Sequence, residues 1–181
     1  MQLRHLVFVT NKCNMAEGLD NNRERIVKVF LISFSAKLKF SLELKNEPQY
    51  SAIDSLLNGN HVLAVLPTGY GKSHIYQILV LVNKIDKGQP TSALVVCPLR
   101  SIVDDQVQEV KALRISGSSF NHASSEDLKA EIYRLIFGSS KNILYNFDLM
   151  KEKNLVAIVV DESHTVEIWT GEWYIYIYYL P

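Results

Sequence analysis

Residues 61–73 read HVLAVLPTGYGKS, and no other stretch narrows the fold of this chain so far. An apolar run ends at Pro67. A loop with two glycines follows, closes on Lys72 and Ser73, and passes directly into apolar residues at helical spacing. A strand, a tight loop and a helix N-terminus in that order make a cradle for phosphate. Gly69 and Gly71 can take backbone conformations closed to other residues and let N–H groups approach an anion. Lys72 adds a positive charge, the Ser73 hydroxyl can ligate Mg²⁺, and the helix start adds its dipole. The strict spacing G-x-x-x-x-G-K-[ST] is not met, because Leu66 stands at its first glycine. On its own, the loop also fits a solvent-exposed turn.

A second segment, LVAIVVDESH at residues 155–164, supplies what a phosphate site needs. Asp161 and Glu162 follow a β-type apolar run, at the carboxyl end of a strand, where open α/β sheets bind ligands. One carboxylate can hold Mg²⁺, directly or through water; the next can take a proton from an attacking water. Alone, the pair would fit an acidic surface turn after a core strand. The stretch between Lys72 and Asp161 has room for two further strands and their crossover helices.

The rest of the chain alternates accordingly. Apolar spacing predicts an amphipathic helix from Ile26 to about Leu42, preceded by a leader without a period over residues 1–22. A second helix has Pro48 in its first turn and Gly59 as its stop. HVLAVL reads as a strand, then a helix from Ser73 to about Ile85, a strand at 92–97 and a helix over 101–113. Ser124 and Asp127 resemble a capping box opening a helix through Phe137, ended by Gly138. NILY at 142–145 reads as a short strand and LVAIVV at 155–160 as a strong one. Continuous apolar runs imply strands covered on both faces, and alternation with helices implies parallel pairing with right-handed crossovers. The expected fold is a three-layer α/β domain with a parallel sheet and an extra N-terminal helix. Its divisions are 1–43, an N-terminal extension; 44–173, the nucleotide-binding domain; and 174–181, an atypical aromatic tail.

Composition sets outer bounds. A hydrophobic fraction of 48% and a charged fraction of 21% are ordinary for a globular domain. Nineteen basic and nineteen acidic side chains cancel, so any nucleic-acid contact has to be local. Cys13 and Cys97 show no metal-type spacing and fit a reduced, intracellular protein. The short run LVFV near the N-terminus gives neither a signal peptide nor a membrane span, so no membrane association or secretion is expected.

Three collinear segments, PTGYGKS, VVCPLRSIVDDQV and VVDESH, resemble motifs I, Ia and II of superfamily 2 helicases, and among them the RecQ DNA helicases, the group of the Bloom and Werner syndrome proteins. The middle segment is the specific one: Pro98, Leu99, Ser101, Asp105, Gln106 and Val107 match a PL-x-S-L-x-x-D-Q-V pattern. Upstream, Gln49 and LLNGNHVLAVLPTG are similar to the family's adenine-reading segment. The resemblance runs from about Leu44 to Trp173 and implies ATP and Mg²⁺ as cofactors and DNA as partner. Gln49 would meet the adenine edge, although it also fits an exposed helix glutamine. Pro67, Thr68, Gly69, Tyr70, Gly71, Lys72 and Ser73 would hold the nucleotide. Ser73 and Asp161 would hold the metal, Lys72 and Glu162 would act in hydrolysis, and His164 would couple the site to the rest of the motor. Arg100 and Ser101 would touch the single-strand backbone, and Trp169 would stack on a base. Arg100 fits a solvated helix-end arginine equally, and Trp169 a core tryptophan.

The chain departs from the RecQ pattern in places. Ser163 replaces an alanine between the acidic pair and His164. The segment 145–154 is short and lacks the T-P-E-like motif. Past Trp173 the sequence reads YIYIYYLP, and motif III, a second motor domain with its arginine finger and a zinc module are not in these 181 residues. The expectation is a first motor domain that binds Mg-ATP weakly, hydrolyses it poorly alone and does not unwind DNA, with a nuclear or cytoplasmic location. Two alternatives stand beside it: an inert nucleotide-binding or interaction piece of a helicase, and a DExH-type RNA helicase.

Overall fold

A computed structural model describes residues 4–11, 47–87, 91–130, 132–151 and 153–162. The helix expected at 26–42, Ser163, His164, Trp169 and the tail 174–181 lie outside these residues.

Six strands form one sheet: β1 (Arg4–Asn11), β2 (Val62–Pro67), β3 (Ser92–Val96), β4 (Gly117–Ser119), β5 (Leu135–Gly138) and β6 (Leu155–Val160). Their order is β2-β1-β6-β3-β5-β4. The pairs β3–β6, β3–β5 and β4–β5 are parallel, while β1 lies antiparallel between β2 and β6. Every strand except β1 therefore points the same way. The sheet is mostly parallel, with this one reversal. An apolar β-type run in the leader has no local partner, so its place in the sheet is a long-range fact that periodicity does not carry.

Among the described residues six helices lie between the strands: α1 (Glu47–Leu57), α2 (Lys72–Lys87), α3 (Arg100–Ala112), α4 (Ser125–Lys129), α5 (Ser140–Tyr145) and α6 (Phe147–Lys151). They divide between the two faces of the sheet. Ile53 and Leu56 of α1, Ile75, Tyr76 and Leu79 of α2, and Val103 and Val107 of α3 pack with Ala93, Val95, Phe137, Ala157 and Val159. On the other face Leu128, Ile143 and Met150 pack with Leu94, Val96, Ile136, Ile158 and Val160. This is the expected three-layer arrangement, and β3 and β6 are buried throughout. Each fully buried aliphatic side chain contributes on the order of 1.5–3 kcal/mol.

One irregularity sits in the centre. The register of β3 against β6 passes from Ser92↔Leu155 to Ala93↔Ala157, so Val156 is an extra residue on β6. It is a β-bulge, and it explains why neighbours Val156 and Ala157 share one core while Leu155 and Ile158 share the other.

Three local expectations are corrected. HVLAVL is not covered on both faces: β2 is an outer strand, and Leu63 (58% exposed) and Val65 (45%) alternate with buried Ala64 and Leu66. The helix opened by Ser124 is only α4; Ser124 Oγ does accept from Asp127 N–H at 3.0 Å, but residues 135–138 are the buried strand β5. A cap specifies where a helix starts, not how far it runs. NILY belongs to helix α5, whose own cap, Ser139, accepts from Asn142 N–H. A four-residue apolar run is compatible with either state.

Candidate functional site

The carboxyl ends of β2, β3 and β6 open on one edge of the sheet. β2 and β6 are separated by β1 alone, about 10 Å across the sheet, but Pro67 pairs with Arg4 and Val160 with Phe8, so β2 runs four residues, about 13 Å, farther toward that edge. The loop after β2 holds Gly69 at φ +81° and Gly71 at φ +70°. A Cβ at Gly69 would meet nothing within 4 Å, whereas at Gly71 it would meet Gln49 Nε2 at 2.5 Å and His74 Nδ1 at 2.7 Å. The first glycine is required by conformation, the second by conformation and space.

Gln49, on α1, is 4% exposed and donates from Nε2 to the carbonyls of Tyr70 (2.7 Å) and Gly71 (3.0 Å). Two of the loop's carbonyls are thus drawn toward α1. The loop then enters α2, whose first N–H groups, on Lys72 and Ser73, have no acceptor within the helix. These donors, the helix dipole and the Lys72 ammonium make this loop a candidate anion site. Thr68, Gly69 and Tyr70 are exposed, and Pro67 and Lys72 partly so.

Ser73 is tied to two side chains that the sequence did not single out for it. Gln106 Nε2, on α3, donates to Ser73 Oγ at 3.4 Å, and the fully buried Tyr76 donates its hydroxyl to Gln106 Oε1 at 2.7 Å. Gln106 was visible only as part of the PLRSIVDDQV stretch. Its pairing with a residue 33 positions away has no sequence signal. Nearby, Gln77 Nε2 donates to Glu109 Oε1 at 3.1 Å, another α2–α3 link.

Asp161 follows β6 directly. Its N–H donates to Val96 O at 2.9 Å, extending the parallel ladder by one residue, and its side chain is 7% exposed. Burial, then the Asp161 charge, push the Tyr76 phenol well above its ordinary range and the Cys97 thiol upward. Ala157 and Val159 face the α2 side of the sheet and Ile158 and Val160 the other, so the strand alternation puts Asp161 on the α2 side. Glu162 has φ +55°, rare for a residue with a side chain, and its N–H donates to Asp161 Oδ1 at 3.1 Å. Burial lowers the pKa of His74, with Glu109 opposing, so the imidazole beside Gly71 is neutral at pH 7.

Arg100 and Ser101 open α3 at the same edge, both exposed, with Leu99 offering no side-chain cap. The fold thus gathers Gln49, the loop 67–73, Asp161, Glu162, Arg100 and Ser101. His164 and Trp169 are outside the described residues.

Residues 46–179 match the DEAD/DEAH box helicase family. The chain belongs to that family. It is similar to the ATP-dependent DNA helicase hus2/rqh1 of Schizosaccharomyces pombe, at 29% identity over 153 residues, covering 74% of this chain and 11% of that protein. It is similar to the ATP-dependent DNA helicase RecQ of Haemophilus influenzae, at 27% identity with 74% of this chain and 22% of that protein covered. A putative ATP-dependent RNA helicase, R290 of Acanthamoeba polyphaga mimivirus, shares 29% identity over 67% of this chain and 23% of its own length. The chain spans about a tenth of the length of the fungal relatives it matches and under a quarter of the bacterial one. The resemblance to RecQ helicases therefore stands, and this DEAD/DEAH box family implies ATP-dependent activity.

The donors fit Mg-nucleotide better than a metal held by protein alone. Among the described residues no group of three or more His, Cys, Asp or Glu could hold a metal ion. Ser73 Oγ and the Asp161 carboxylate offer two oxygens, which suits an ion that keeps waters and takes its remaining ligands from phosphate. Among the described residues no helix is long and apolar enough to cross a membrane.

Proposed function

We propose that this chain carries the ATP-binding motor domain of a RecQ-like, ATP-dependent DNA helicase, lying within residues 44–173. One observation carries the reading: the phosphate loop follows the carboxyl end of β2 and Asp161 that of β6, two strands that point the same way with β1 alone between them. The names of the fungal and bacterial relatives favour DNA over RNA.

The division of labour follows from the chemistry. Lys72 and the first N–H groups of α2 hold the β- and γ-phosphates. Ser73 and Asp161 hold Mg²⁺, which when bound neutralises phosphate charge. Glu162 orients the attacking water and accepts its proton. Gln49 meets the adenine edge; its Nε2, with both hydrogens on loop carbonyls, can donate to adenine only by exchanging one of those bonds. Arg100 and Ser101 contact the phosphates of a single strand. His164 and Trp169 are proposed on the resemblance alone, for coupling and base stacking. A DNA substrate places the protein in the nucleus or cytoplasm.

Separating a duplex requires two bodies that move against each other. The described residues form one sheet with one phosphate loop, and these residues by themselves are expected to bind ATP weakly and not to unwind DNA. Titration of a fluorescent ATP analogue into residues 1–181 and into Lys72→Ala tests the site. A loss of about tenfold or more is expected, and equal affinities would refute the assignment. Unwinding of a forked duplex by residues 1–181 alone would refute the motor argument. ATP hydrolysis stimulated by single-stranded RNA but not DNA would favour the RNA reading.

A further inference from the structure

Ser73 is the first side chain of α2 whose oxygen can reach a cation, and a serine in the first turn of a helix has competing uses for its hydroxyl. It can rotate among staggered positions or donate back to its own backbone. What fixes it here is a pair of side chains, Tyr76 on its own helix and Gln106 on another. Tyr76, one turn along α2 and fully buried, donates its hydroxyl to Gln106 Oε1 at 2.7 Å. In the structure the amide is set with its oxygen toward Tyr76 and its nitrogen toward Ser73. Gln106 Nε2 then donates to Ser73 Oγ at 3.4 Å. An oxygen that accepts one N–H keeps a second lone pair for a cation, while its own hydrogen goes to the Tyr76 oxygen. The amide thus presents the hydroxyl as an acceptor and holds it in one rotamer.

We infer that Gln106, with its amide oriented by Tyr76, is a positioning residue for the metal in this site: it holds Ser73 Oγ ready to ligate Mg²⁺. The inference rests on the proposed nucleotide site and deepens it, because it assigns a role to a side chain that touches neither phosphate nor metal. It also makes α3 part of the metal site, since Gln106 sits midway along that helix.

The test separates metal-dependent from metal-independent binding of the same fluorescent ATP analogue, by titration in Mg²⁺ and in EDTA. Gln106→Leu keeps the side-chain volume and removes the amide. It should lose about tenfold in affinity in Mg²⁺, the scale of a lost outer-shell partner, and change little in EDTA. Tyr76→Phe frees the amide to flip and should lose less, in the same direction. In a Ser73→Ala background, Gln106→Leu should cost nothing further. Equal losses with and without Mg²⁺, or a Gln106→Leu loss that persists in Ser73→Ala, would mean that Gln106 only supports the fold, and the inference would fall. Unchanged Mg²⁺-dependent affinity in Gln106→Leu, with a loss in Ser73→Ala, would overturn the inference and leave the site standing. Unchanged affinity in both Lys72→Ala and Ser73→Ala would overturn the site itself.

Discussion

Two glycines two residues apart look alike in sequence and differ in the fold. Gly69 and Gly71 both have positive φ, yet only Gly71 has neighbours where a Cβ would go. Gly69→Ala should therefore cost only the left-handed conformation, roughly 1–2 kcal/mol. Gly71→Ala adds overlap with Gln49 and His74, so thermal denaturation should show the larger drop, and the loop should lose its nucleotide. His74 gives a pH signature. Its folded pKa lies below the ordinary 6.5 because of burial, so the unfolded chain binds the proton more readily. The stability due to neutral His74 is complete above the unfolded pKa and is lost as pH falls below it, toward the folded value. A plot of Tm against pH between about 7 and 5 should fall more steeply for the natural chain than for His74→Asn. Parallel curves would remove His74 from the account.

At the scale of elements, the helix ends are the most legible features and the helix lengths the least. The stop expected at Gly59 is present in full: Asn60 N–H donates to Ser55 O, Gly59 N–H donates to Leu56 O, and Gly59 has φ +87°. The same motif ends α3, where Ile115 N–H donates to Val110 O, but Arg114 occupies the left-handed position at φ +56°. Arginine gives no sequence warning of such a turn. Arg114→Gly should stabilise the fold by about 0.5–1 kcal/mol, read from denaturant unfolding. Strand β5 was missed because nothing in RLIFG tells a four-residue buried strand from the last turn of a helix. The phosphate loop and acidic pair were legible because their chemistry dictates residue types at short spacing. Gln49's bonds to the loop and Gln106's bond to Ser73 were not, because both join residues more than twenty positions apart. Helix α3 links two ends of function: Ser101 and Gln106 are five residues apart on one helix, about 7.5 Å along its axis. If single-stranded DNA binds at Arg100, its presence should change the Mg²⁺ concentration needed for nucleotide binding, and Arg100→Ala should abolish that change.

The whole molecule is covered unevenly. β3, β5 and β6 are buried on both faces, while β2 exposes Leu63 and Val65 at the outer side of the sheet. An exposed apolar outer strand favours association. Leu63→Thr with Val65→Thr keeps β-propensity and should reduce concentration-dependent light scattering, with Tm changed by no more than a few degrees.

The extra residue at Val156 has a mechanical meaning for the molecule. Downstream of it, Ala157 to Val160 pair in step with Ala93 to Val96, and Asp161 continues that pairing through its bond to Val96. Upstream, the connection from α6 enters β6 one residue out of step. The bulge works as an expansion joint. Changes of a residue in the length of the 139–154 segment can be taken up on its upstream side, while the acidic end of β6 stays docked against β3. The connection can vary in evolution, and the carboxylates need not move with it.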